Sequence, residues 1–79
     1  MSIRFEIDPF ADAVYVQVSD EPVARTLELD AQRTLEYNVH GEVVGMVFLG
    51  VRRGVDLSKL PYHDELATYF AAHEIRVNI

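Results

Sequence analysis

The chain has 79 residues, 49% of them hydrophobic, no cysteine, and a net charge of −6 from 13 acids against 7 bases. That length holds one small domain, near the lower limit at which an apolar core outweighs the entropy of ordering the chain. Without cysteine there is no disulfide and no thiolate metal site, which suits a reducing compartment. The acidic balance repels phosphate backbones, so nucleic acid is not the expected partner and a basic protein is.

Ile3 to Ile7 alternates apolar and polar residues and predicts a half-buried strand with Ile3, Phe5 and Ile7 inward. Asp8-Pro9 ends it, because proline cannot donate to a strand ladder. Ala13 to Ser19 predicts a second strand with Val14, Val16 and Val18 on one face and Tyr15 and Gln17 on the other. After the Asp20-Glu21-Pro22 turn, Val23 to Leu29 predicts a third strand with Leu27 and Leu29 inward. Arg33 to Val39 predicts a fourth, with Leu35, Tyr37 and Val39 toward the core. His40-Gly41 makes a tight turn, the glycine supplying positive φ.

Val43 to Leu49 is apolar on both faces, so this fifth strand belongs in the centre of a sheet, or needs cover on its second face. Gly45 within it implies a bulge or a close backbone approach. Short turns and the usual pairing of sequential strands predict an antiparallel meander.

Beyond Gly54 the pattern changes. Asp56 to Leu60 reads as a single capped turn, and Pro61 fits the first position of a helix. Asp64 and Glu65 suit its first turn and His73 its last. Tyr62, Leu66, Tyr69, Phe70 and His73 share one face, which should pack on the sheet. Ile75 to Ile79 alternates again and predicts a short terminal edge strand. The expectation is a single α+β domain over residues 1–79: a meander of about five strands with one C-terminal helix packed on a face.

No motif for chemistry emerges. Asp8 and Asp12, with Glu6, surround the first turn without calcium-loop spacing, and bonding to backbone N–H groups around Pro9 explains them. His63 and His73 fall about 280° apart around a helix axis and cannot share a metal, and His40 lies in a turn. The four glycines at 41, 45, 50 and 54 form no phosphate loop. Tyr15 and Tyr37 lie on a sheet carrying Glu6, Glu28 and Glu36, whereas sheet-based RNA readers pair aromatics with bases. Arg52-Arg53, with Lys59 nearby, is the one basic spot. These residues lead us to expect no enzyme activity, no cofactor and no metal.

Asp8-Pro9-x-Ala11-Asp12-Ala13-x-Tyr15-Val16-x-Val18-Ser19-Asp20, followed by Val39-x-Gly41-x-Val43-Val44-Gly45, resembles the YuzE-like domain-of-unknown-function family (DUF2283) of bacteria and archaea. The resemblance spans about residues 3 to 50. It implies a small antiparallel sheet with a helix, no established activity, and an antitoxin-like relation to small basic proteins. No functional residues carry over from it. In this chain Asp8, Pro9 and Asp12 set the first turn and Tyr15 packs. Asn38 and His40 stand where relatives have more acids.

The functional expectation is a self-associating, non-enzymatic interaction module. It is most simply a homodimer through Val43, Val47, Leu49, Tyr69 and Phe70, with a small basic protein as a further partner. The alternative is a small-molecule or metal-binding protein with a pocket between the sheet and the helix, near Tyr62, His63 and His73. The longest apolar run, Val43 to Val51, is too short for a membrane span. Met1-Ser2-Ile3-Arg4 lacks a secretory core, so the expected location is the cytoplasm, away from membranes.

Overall fold

Strong strand formers at alternate positions give five antiparallel strands in the computed structural model, which describes residues 3–78. They are β1 (Arg4–Asp8), β2 (Ala13–Gln17), β3 (Arg25–Asp30), β4 (Arg33–Tyr37) and β5 (Val43–Leu49). The chain divides into two compact units, Met1–Leu49 and Gly50–Ile79.

The strand order in the first unit is β1-β2-β5-β4-β3. β5, apolar on both faces, takes the central position expected of it. Neighbour pairing holds within the β1-β2 hairpin and within β3-β4-β5. It departs at one connection, where residues 18–24 leave β2 and cross to the far edge so that β2 pairs with β5. Val18 and Ser19 N–H both donate to the Val44 carbonyl at the start of this crossing, at 2.9 and 3.2 Å.

Residues paired across strands share a face. One face carries Val14, Val16, Leu35, Met46 and Phe48, all buried, with Phe5 half-buried beside them. Ile7 lies on this face at the β1 edge and stays 44% exposed. Arg33 pairs with Phe48 on the same face and is also buried. Its guanidinium donates from Nε (2.9 Å) and Nη2 (2.8 Å) to Asp30 Oδ2. Arg33 and the second carbonyl contact of this corner, Leu49 N–H to Gln32 O at 2.8 Å, close the β3-β4 turn against β5.

Two expected inward positions come out differently. β3 is an edge strand with a register shift between Glu28 and Asp30, so Leu27 is 47% exposed and only Leu29 is half-buried. β4 stops at Tyr37, leaving Val39 79% exposed, because Asn38 takes the buried place instead. The Asn38 side chain accepts from His40 and Glu42 N–H and donates to Glu21 and Glu42 carboxylates, all at 2.9–3.0 Å. An amide that satisfies four groups, three of them within four residues, ends a strand more firmly than alternation extends it. Gly41, at φ 79°, completes that turn.

In the second unit, Val51–Arg53 form a 3-10 turn, β6 is Val55–Asp56, α1 is His63–Ala72 and β7 is Val77–Asn78. β7 pairs in parallel with β6, as a separate two-stranded sheet rather than an edge of the large one. The expected strand's last residue, Ile79, lies outside the described residues. The helix begins two residues after Pro61, because Tyr62 adopts a left-handed conformation (φ 60°) that starts the turn only at His63. Leu66 and Phe70 are its buried residues. Its end is a Schellman motif: Ile75 N–H donates to Phe70 O (2.8 Å) and Glu74 N–H to Ala71 O (3.2 Å), with Glu74 at φ 59° where glycine is usual.

Candidate functional site

The second face of the large sheet is the open one, and strand register fixes what stands on it. One row runs Glu6, Tyr15, Val47, Thr34, Glu28 from the β1 edge to the β3 edge. The next runs Arg4, Gln17, Gly45, Glu36, Thr26. Asp8, Ala13 and Leu49 form a third, shorter row. The middle of the face, on β2 and β5, is therefore Ala13, Tyr15, Val47 and Leu49, and the carboxylates stand on its flanks.

Gly45 makes room for a close side-chain contact on this face. Tyr15 Oη donates to Glu36 Oε1 at 2.9 Å, and the two side chains meet directly above Gly45. A β-carbon at 45 would lie 2.8 Å from Tyr15 Oη and inside contact distance of Glu36 Oε1. Burial, the hydrogen bond to Glu36, and the charges of Glu36 and Glu6 together hold the Tyr15 hydroxyl above the ordinary phenol range. This is the close approach that a glycine inside a strand predicts.

The flanking charges are uneven. Residues 1–49 hold nine acids and three bases and residues 50–79 four of each, so the whole net charge belongs to the sheet unit. Its three bases are engaged. Arg4 pairs with Asp20 (3.2 Å), Arg25 lies 5.0 Å from the Tyr37 ring centroid, and Arg33 is held by Asp30. The carboxylates of Glu6 and Glu28 have neither a hydrogen bond nor an ion pair among the described residues, and both residues are exposed.

The first turn borders this face. Asp8 Oδ1 accepts from Phe10 and Ala11 N–H, both at 3.1 Å, and Asp12 is left-handed at φ 53°. Asp8 thus bonds the backbone of the turn, in which Phe10 is fully exposed. A groove of about 450 Å³ beside it is lined by residues that include Glu6, Pro9, Ala13, Tyr15 and Val47. Phe10 occupies a variable place in the signature, and only its exposure in the fold singles it out.

The other expected site residues fall elsewhere. Val47 and Leu49 lie on the open face, Val43 is half-buried opposite Tyr37, and Phe70 is wholly buried. Tyr69 is half-buried, and the His73 ring stacks on it at 4.0 Å between centroids, with Nδ1 2.9 Å from Tyr69 O. His63 lines a smaller groove, about 240 Å³, with Asp56, Leu57, Ser58, Val77 and Asn78, which His73 does not reach. Arg52 and Arg53 are exposed, and the Arg53 carbonyl accepts from Arg76 Nη2 (2.7 Å) and Asn78 Nδ2 (3.1 Å). Among the described residues no group of three or more His, Asp or Glu is placed to hold a metal, and no helix is long and apolar enough to cross a membrane.

Comparison with known proteins agrees with the sheet as the defining unit. No curated protein and no solved structure matches significantly. The model of a protein family of unknown function matches residues 4–52, which covers the five strands and more than half of the chain. The chain belongs to that family, DUF2283.

Proposed function

We propose that this protein is a non-enzymatic interaction module whose open sheet face captures a basic protein partner. The observation that carries the reading is the half-open face with Tyr15, Val47 and Leu49 at its centre and, on both flanks, the carboxylates of Glu6 and Glu28, which have no ion pair among the described residues. Apolar centres with charged rims are how non-obligate interfaces are built, the rim selecting the partner by charge. A second copy laid on this same face would oppose carboxylates to carboxylates, which disfavours it as the occupant.

The test is affinity capture from the native host with the wild type and with Glu6→Gln/Glu28→Gln, bound species being weighed intact. A stoichiometric basic protein held by the wild type and lost by the variant, at unchanged melting temperature, is the expected result. Equal retention by both, or capture of no basic protein, refutes it.

Self-association has its own support at a different place. β3 is an unpaired edge strand, and Val23 and Leu27 are 46% and 47% exposed on it or next to it. Edges of this kind pair with other edges. Sedimentation across a concentration series, with Leu27→Lys as the comparison, tests a homodimer there. A monomer at every concentration rejects it.

A further inference from the structure

The spacing of the flanking carboxylates narrows the partner's chemistry further, on the reading just proposed. Glu6 and Glu28 end one row of the open face, four strand spacings apart, or about 19 Å. Between them, β2 and β5 present the apolar strip of Ala13, Tyr15, Val47 and Leu49. A bound β-strand projects its side chains alternately up and down, so its cations would stand over the strip or away from it, and would not reach either rim. An α-helix is about 10–12 Å across with its side chains. Laid along β2 and β5, it leaves only a few ångströms on each side. Lysine and arginine cross such a gap readily, their methylenes lying on the apolar surface and their charges reaching outward.

We infer that the occupant of this face is an amphipathic helix of the partner, with an apolar stripe bordered on both sides by lysine or arginine. Charge complementarity selects it: Glu6 and Glu28 stand on opposite rims, neither carboxylate has a hydrogen bond or ion pair among the described residues, and every base of the sheet unit is already engaged. Ala13 and Tyr15, like Val47 and Leu49, are two residues apart, so the strip is about 7 Å long between Cα atoms, which roughly five helical residues span, and a longer helix runs on over Gln17 and Gly45. Phe10, exposed in the turn at the Ala13 end with its N–H bonded to Asp8, adds an aromatic contact there.

Three synthetic 14-residue peptides of one composition test this with the full-length, isotope-labelled chain. In the first, lysines border a leucine stripe on both sides of a helix. In the second they lie on the side opposite the stripe, and in the third leucine and lysine alternate as in a strand. The bordered helix should bind about tenfold more tightly than the other two, the sum of several exposed ion pairs. Amide shifts should concentrate on Ala13–Gln17 and Gly45–Leu49. Glu6→Gln/Glu28→Gln should erase the preference without lowering the melting temperature. Equal or tighter binding by the alternating peptide on this face overturns the helix and leaves the basic partner standing. Equal binding by the two helices overturns the rim geometry in the same way. Shifts elsewhere, or no binding by any of the three, overturn the inference and the proposed function together.

Discussion

Gly45→Ala isolates the most specific contact of the open face. Its φ lies outside the left-handed region, so alanine is compatible with the backbone there. In a neutral setting alanine would stabilise a strand relative to glycine by about 0.5–1 kcal/mol. Here the new methyl falls on Tyr15 Oη and Glu36 Oε1, the far ends of two side chains that can move apart. They can yield only by giving up their 2.9 Å hydrogen bond. A hydrogen bond to a charged group contributes about 1.5–3 kcal/mol, and partial exposure puts this one at the low end. The difference leaves Gly45→Ala destabilising by about 1 kcal/mol, or roughly 4–8 °C in melting temperature for a chain of this size. In a Tyr15→Phe/Glu36→Ala background the obstacle is gone, and the same substitution should turn neutral or stabilising by about 0.5 kcal/mol. Urea midpoints of the four proteins measure both numbers. A Gly45→Ala single variant as stable as the wild type would refute the close-approach account, as would the same penalty in both backgrounds.

Three further outcomes follow from local features. Arg33 holds the Asp30 carboxyl below its ordinary range, with help from the Gln32 N–H, so this pair contributes stability above the unfolded value of about 4 and loses it as pH falls through the folded one. Asp30→Asn should flatten that acid limb of a stability–pH curve. At pH 7 it should cost about 1–2 kcal/mol, less than for a fully buried pair because the Asp30 side chain is 46% exposed. In ultraviolet titration, Tyr15 and Tyr69 should ionise above the ordinary phenol range, Tyr15 through burial and Glu36 and Tyr69 through burial alone. Tyr15→Phe should remove one late step. The stability that Tyr15 lends is complete below about pH 10 and is lost as pH rises through its folded value. Glu74→Gly relieves the left-handed residue in the Schellman motif and should stabilise the chain by about 0.5–1 kcal/mol in thermal unfolding.

What sequence could reveal depended on whether the deciding contacts were local. The apolar run of β5 pointed to a central place in the sheet or to cover on its second face, and the strand order gives it the central place. Gly45 likewise announces a close approach without naming Tyr15 and Glu36, since their meeting depends on register across three strands. Alternation failed at Val39, where the Asn38 hydrogen bonds end the strand, and at Leu27, which alternates correctly but lies on an edge. Pro61 marked the helix to within two residues, and the left-handed Tyr62 has no sequence signal that would move the start. The candidate site shows the same division. Glu6, Glu28 and Glu36 read correctly as a polar face, whereas the 19 Å gap between rims (about four strand spacings) and the exposure of Phe10 needed the strand order.

The crossing from β2 to the far edge also shapes how the chain folds. It divides the sheet into two sequence-local blocks, the hairpin of β1 and β2 and the run of β3, β4 and β5. Among the described strands the blocks pair only along β2 and β5, where Val14 faces Phe48 across 34 positions of chain. Closing that loop costs entropy before the seam returns any contact. The three-strand block is therefore the expected nucleus, with the hairpin docking after the main barrier. Leu35→Ala should slow folding, while Ile7→Ala in the hairpin should chiefly speed unfolding, and stopped-flow chevrons of the two variants distinguish this order from its reverse.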